Sequence, residues 1–432
     1  MIFRCPSGKS INDELDINVK MVRATKEGAS LRKYLALTAV VLSLCLVLAD
    51  AVIAADGRDV SCTTLYFLNG IVVYDSSTNE TLILETPANL TLGDGFEQRV
   101  VSLLSYNVFF NETAKAFTFR ATKGYVGFFV CRVEVYAMPA SQALALIAQA
   151  LRGPAATPKP SYSNVPEEVR EYLREPHPKV VEVVKPEYER WFRGTYGYGA
   201  DEVGPLGIAA TAAYFVYRHY IEYDPSGIPR SIEQVIESRR GDCDDMSRVL
   251  VELLNAYGIP AIIVGGYTYI QGLNLTQPIE NVTYKYVNGG PHAFVMAYVP
   301  GDGWVSLDLL AYSMLKNPFV FEGYGRETAV EKELVEELLG LHRSINATQV
   351  FVLMSEREFE ESLSKPMTLE RAMSLFRRVA GVEEVTVTTP QVEDVVATRL
   401  EAWFVVAVAA LPVLATAISA KLMRNRFVKR AS

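Results

Sequence analysis

The stretch that decides the fold is RRGDCDDMSRVLVELLNAYGIPAIIVGGY, residues 239–267. Met246, Val249, Leu250, Leu253, Leu254 and Tyr257 recur at i, i+3, i+4, i+7 spacing, which predicts a helix with one face in a core. Asp242 is a natural N-cap, and Asp245, three residues on, completes an acidic form of the capping box. Gly258 ends the helix and Pro260 prevents its continuation, after which AIIVGGY reads as a strand. Cys243 therefore falls in the first helical turn. Free backbone N–H groups and the helix dipole favour a thiolate there, while Asp242, Asp244 and Asp245 oppose it. A cationic partner would be needed to activate the thiol strongly.

Downstream, GGPHAFVMAYVPGDGWVSLDLLAY (289–312) reads as a hairpin, with a turn at Pro300–Gly303 and a return strand from Trp304 to Leu309. His292 opens the first strand and Asp308 lies on the return. A two- or four-residue loop would place His292 opposite Ala311 and put Asp308 on the wrong face. For the two to meet, the loop must be odd-numbered or one strand must carry a bulge, which Gly301 and Gly303 permit. Under that condition Cys243, His292 and Asp308 supply a nucleophile, a base and a group that orients the base.

Taken in order, G-D-C with its amphipathic helix, GIPA and a strand, H-A-aromatic on a strand, and G-W-V-x-L-D resemble the transglutaminase-like superfamily, here as a membrane-anchored prokaryotic member. The preceding AAYFVYRHYIEYDPSGIPRSIEQVIESRRGDC (212–243) fits as a helix, a Tyr-Asp turn and a second helix. The likeness covers about residues 205–310. It implies an α+β fold with a papain-like core, and a triad in which Cys243 is nucleophile, His292 general base and Asp308 orienter. Two positions depart from the family's habit: Phe294 stands where Trp is frequent, and Leu309-Leu310 follow Asp308 where Pro-Thr is frequent. Neither removes a reacting atom. The Cys243 N–H can serve as one oxyanion donor, and the second is not assigned. No local acidic loop supports calcium, and no cofactor or metal is expected.

Outward from this core the chain is unevenly charged. Of 432 residues, 42 are Lys or Arg and 50 Asp or Glu. Residues 1–33 hold seven basic against four acidic side chains, and residues 421–432 five against none. That leaves 30 against 46 in residues 34–420, a net −16. So acidic a body argues against nucleic-acid binding, which rests on clustered Lys and Arg. Two apolar runs, Tyr34–Ala55 and Trp403–Ala420, each approach the ~20 residues that cross a bilayer as helix. Arg32 and Lys33 before the first, and Lys421, Arg424, Arg426, Lys429 and Arg430 after the second, place both termini in the cytoplasm and residues 56–400 outside. The first run could also be a cleaved signal. Six N-x-[ST] triplets, at Asn79, Asn89, Asn111, Asn274, Asn281 and Asn346, all lie in the outer stretch, as in a glycoprotein.

The outer body is expected to divide at residues 56–150, a β-rich region resembling a small β-sandwich, and 151–166, a Pro/Ser linker. A transglutaminase-like domain at 167–345 and a small α/β extension at 346–400 follow, before the second membrane span at 401–420. Cys62 and Cys131 bracket the strand-rich region and are expected to form a disulfide, leaving Cys243 unpaired. The functional expectation is a surface-anchored cysteine protease, amidase or transglutaminase-type acyltransferase, with hydrolysis favoured over cross-linking. Its partners would be a protein or peptide substrate, such as a cell-envelope component, and membrane lipid. The alternative is a non-catalytic extracellular scaffold that keeps the fold.

Overall fold

The computed structural model describes residues 60–382, apart from 79, 94, 155–164, 227, 326–329, 331 and 364–366. The apolar runs 34–55 and 403–420, both basic tails and residues 383–400 lie outside the described residues. Among the described residues no helix is long and apolar enough to cross a membrane.

The N-terminal strands are β1 (Ser61–Ser76), β2 (Thr81–Leu84), β3 (Leu90–Gly93), β4 (Phe96–Tyr106), β5 (Phe109–Asn111), β6 (Ala116–Arg120) and β7 (Val126–Ala137). Helices α1 (Ala140–Arg152), α2 (Lys185–Tyr196), α3 (Pro205–Phe215) and α4 (Ile232–Ser238) follow, with a two-residue pairing of β8 (Glu222–Tyr223) and β9 (Arg240–Gly241). Then come α5 (Cys243–Asn255), β10 (Ala261–Ile279), β11 (Val282–Val299), β12 (Gly303–Ser306), β13 (Phe319–Gly325), α6 (Lys332–Ser344), β14 (Ile345–Met354), α7 (Glu356–Ser362) and α8 (Leu369–Ala380).

The N-terminal strands do build two facing layers, the sheet β2-β6-β5 packing Leu82, Phe117 and Phe119 against Phe67 and Phe129 of β1 and β7, but this sandwich is not a separate unit. One sheet runs β13-β10-β11-β14-β1-β7-β4-β3, with β12 on β11, so strands from both ends of the described chain share it. The join is β14, which lies antiparallel to β1 and parallel to β11. Residues 346–354 are thus an inner strand of the main sheet and not part of an appended unit. The physical reason is burial: β1 and β7 are apolar on both faces through their middle stretches, which a half-solvated sandwich strand would not be.

Side-chain alternation sorts the core. On β10 and β11, Ile263, Ala293, Val295 and Ala297 face the layer built from α1 to α5. Ile262, Val264, Phe294 and Met296 face the opposite way, into an aromatic core with Phe67, Phe129, Tyr284, Tyr286 and Phe351. On the other half of the sheet, Leu68, Val72, Phe128, Val130, Val350 and Val352 pack under Phe359 of α7 and Phe376 of α8.

The disulfide expectation is overturned as well. β1 and β7 pair with Cys62 opposite Tyr136 and Cys131 opposite Phe67, so the two cysteines sit five residues apart along the ladder. At ~3.3 Å per residue that separation is far beyond the ~7 Å Cα limit for a bridge. Cys62 is exposed, Cys131 is buried, and both are free.

Candidate active site

Helix α5 begins where the sequence places it. Asp242 is extended (φ −96°, ψ −164°), its carboxylate accepts from the Asp245 N–H, and the Asp245 carboxylate accepts in turn from the Asp242 N–H. Cys243 is the first helical residue, only 5% exposed. Its thiol faces β11 and accepts a hydrogen bond from the Ala293 N–H. Burial pushes the thiol pKa well up, Asp242 and Asp244 push it further, and the Ala293 N–H only partly opposes them. The helix start by itself favours thiolate, but desolvation outweighs it, and the sulfur rests as a neutral thiol. A base must therefore take its proton before it can attack.

The acidic trio beside the thiol is internally compensated. Arg248 donates to Asp244 at 2.7 Å and also to Asp245. Arg230 donates to Asp245 at 2.9 Å and to Asp224 at 2.8 Å, tying the preceding loop to the helix start. Burial and the charge of Asp244 raise the Asp242 pKa to about 10. Among the described residues Asp242, Asp244 and Asp245 bring ligand oxygens within 4.8 Å of one another, and Arg248 and Arg230 already donate to two of the three.

β11 and β12 pair with Val299 opposite Gly303, leaving a three-residue loop of Pro300, Gly301 and Asp302. The loop is odd, which meets the register condition for His292 and Asp308 to share a face. The return strand is shorter than expected. It ends at Ser306, and Asp308 lies beyond it in a loop in which Tyr312 and Met314 adopt positive φ (58° and 59°). Such left-handed conformations in non-glycine residues are strained and mark a tightly specified loop.

That loop surrounds one carboxylate with donors. Asp308 Oδ1 accepts from the Leu310 and Ala311 N–H groups, each at 3.0 Å. Oδ2 accepts from the Ser313 N–H at 2.7 Å and from His292 Nε2 at 2.9 Å. Burial alone would raise the Asp308 pKa, but the charge and hydrogen bond of His292, with those from Ser313 and Ala311, hold it below the ordinary carboxylate value. An ionised carboxylate on Nε2 fixes the tautomer with its proton there and leaves Nδ1 as the basic nitrogen. His292 immediately precedes Ala293, whose N–H meets the Cys243 thiol, so the imidazole and the contact to the thiol come from adjacent residues of β11.

Sequence reading missed the residues packed behind this point. Ser247, one helical turn after Cys243, donates to the Cys243 carbonyl at 2.6 Å. Tyr217, in the helical extension 216–220 of α3, shares a 3.2 Å hydrogen bond with Ser247. A polar Ser at i+4 from the cysteine, inside an otherwise apolar stripe, was the available signal.

Residues 199–309 match the transglutaminase-like superfamily. This transglutaminase-like region holds Cys243, His292 and Asp308. The uncharacterized protein YebA of Bacillus subtilis (strain 168) is 36% identical over 89 residues, which make up 19% of this chain and 12% of YebA. The match thus spans about an eighth of that relative. A crystal structure of a candidate cysteine protease from Cytophaga hutchinsonii covers 69% of this chain and 93% of its own, at 14% identity and a TM-score of 0.37.

Proposed function

We propose that this chain is a cell-surface, membrane-anchored thiol enzyme that acts on amide or peptide bonds through an acyl-enzyme on Cys243. The observation that carries the reading is the charged Asp308 on His292 Nε2, one residue from the backbone N–H that meets the Cys243 thiol. In the reaction, His292 Nδ1 takes the thiol proton as sulfur attacks the amide carbonyl, and Asp308 stabilises the imidazolium. The Cys243 backbone N–H, at the start of α5, faces the oxygen that gains charge. Collapse breaks the C–N bond, the imidazolium returns its proton to the leaving amine, and a thioester remains on Cys243. Water, deprotonated by the same nitrogen, then attacks the thioester and releases a carboxylic acid and the thiol. Outside the cell bulk water competes with amines at this step, which favours hydrolysis over cross-linking. A peptide of the cell envelope is the substrate class in reach of an enzyme held between the apolar runs 34–55 and 403–420.

A second reading, the non-catalytic scaffold, is favoured by one observation: the thiol is buried and its pKa is raised.

The test uses cells carrying the full chain and a membrane-impermeant, thiol-directed peptide probe, with labelling followed at the Cys243 peptide. Intact wild-type cells are expected to label at Cys243, and Cys243→Ala is expected to lose both label and amidase activity. Labelling that appears only after lysis would overturn the outside placement. Undiminished activity in the variant would leave the scaffold.

A further inference from the structure

The Ser247 hydroxyl has one proton and three polar neighbours. Cys243 O lies 2.6 Å away, Ala293 O 3.4 Å and the Tyr217 hydroxyl 3.2 Å. Two of the three are carbonyls that can only accept, so the proton of Ser247 points at them and Tyr217 donates to Ser247. A helical Ser bonded to the carbonyl four residues back is ordinary on its own. Two further facts are not. The second carbonyl belongs to Ala293, whose N–H meets the Cys243 thiol, so one hydroxyl touches both the helix that carries the nucleophile and the strand that carries the base. Tyr217 is 5% exposed, so its hydroxyl must find its partner inside the protein.

We propose that Tyr217 and Ser247 are positioning residues that clasp the first turn of α5 to β11 and so set the approach of the Cys243 sulfur to His292. Tyr217 donates to Ser247, and Ser247 spans Cys243 O and Ala293 O. The clasp reaches the nucleophile's residue through its backbone carbonyl and not through its sulfur. Burial and the nearby charge of Asp308 raise the Tyr217 pKa, which keeps its hydroxyl protonated as a donor. The inference rests on the proposed Cys243–His292 chemistry, and its test separates the two.

The rate of iodoacetamide alkylation of Cys243 is followed by peptide mass spectrometry as a function of pH in the full chain. Wild type is compared with His292→Ala, Tyr217→Phe, Ser247→Ala and Ser247→Thr, and each fold is checked by its melting curve. Following the peptide separates Cys243 from the exposed Cys62. Of the titratable groups around the thiol, Tyr223, Asp242, Asp244 and Asp245 are unchanged in every clasp variant, and Tyr217→Phe removes only Tyr217, whose raised pKa keeps it uncharged; Ser247→Ala removes none and is the control. Tyr217→Phe and Ser247→Ala are expected to slow alkylation about threefold to tenfold, the value of one hydrogen bond, and to move its pH midpoint upward. Ser247→Thr, which keeps the hydroxyl, should restore the rate. If His292→Ala slows alkylation while Tyr217→Phe and Ser247→Ala behave as wild type, the clasp is refuted and the Cys243–His292 pair stands. If His292→Ala also leaves Cys243 unchanged, the pair falls and the clasp with it.

Discussion

Asp308 and Glu322 both turn a carboxyl oxygen into the interior and behave in opposite ways. Asp308 receives four hydrogen bonds and its pKa lies below the ordinary value. Glu322 Oε2 has no hydrogen-bond partner among the described residues, and burial raises the Glu322 pKa to about 8. Glu322 sits at a bulge where β13 slips against β10, beside Phe321 of the aromatic core. Glu85, buried in the same core, is likewise raised by burial and by Glu322, although Gln349 donates to it at 2.7 Å. Desolvation is common to all three. What separates these three is the supply of N–H donors: the 308–313 loop and His292 supply enough to hold the Asp308 pKa down, and the surroundings of Glu85 and Glu322 do not.

The largest expected effect comes from removing that charge. Asp308→Asn keeps the shape but offers His292 the wrong partner, and turnover should fall by about 10²–10⁴-fold. Steady-state kinetics on an amide substrate, with circular dichroism to verify folding, is the check. A loss under threefold would mean that the four hydrogen bonds serve the loop alone.

Glu322 sharpens the contrast through stability. It ionises near 4.5 in the unfolded chain and near 8 in the folded one, so the unfolded state holds fewer protons between those values. Stability should therefore fall as pH rises from about 4.5 to about 8, by up to about 1.4 kcal/mol per unit for one such group. Glu322→Gln should flatten that slope in urea titrations, with Glu85 leaving a residual of the same sign. Asp308 works the other way. Its contribution is present above the ordinary carboxylate range and is lost as pH falls through its lowered folded value. An unchanged slope in Glu322→Gln would break the comparison.

The smallest effect concerns Gln349, which donates to both Glu85 and Asn69 Oδ1. Gln349→Ala should cost about 1–3 kcal/mol, because it leaves buried groups without a donor. Equal urea midpoints for variant and wild type would show that Glu85 needs no donor.

The site was more legible in the sequence than the sheet that carries it. α5 announces itself through the Asp242–Asp245 box and its apolar stripe, both local signals. The meeting of His292 and Asp308 could be stated only as a condition on loop length, because register is invisible until Val299 is seen opposite Gly303. Asp308 was placed on a strand because WVSLDL reads as one, but a backbone that must point three N–H groups at one carboxylate cannot remain in a ladder. Cys62 and Cys131 bracket a strand-rich run, yet proximity in that run depends on how β1 meets β7, which spacing does not encode. Nothing in IVVYD or VFVLM says that residues 345–354 belong beside residues 61–76. The pairing is a choice among many apolar strands.

The position of β14 also sets the order in which this protein can be made. Its partners, β1 and β11, begin more than two hundred residues apart in the chain and do not touch each other in the sheet. During synthesis β1–β7 and β10–β11 can each form hairpin-like units, but both keep an open apolar edge until Met354 has left the ribosome. Closure then joins contacts of very long sequence separation, the circumstance in which folding is slow and exposed edges invite wrong partners. The Cys243–His292–Asp308 region, though local in sequence, stands on a platform whose last strand arrives late.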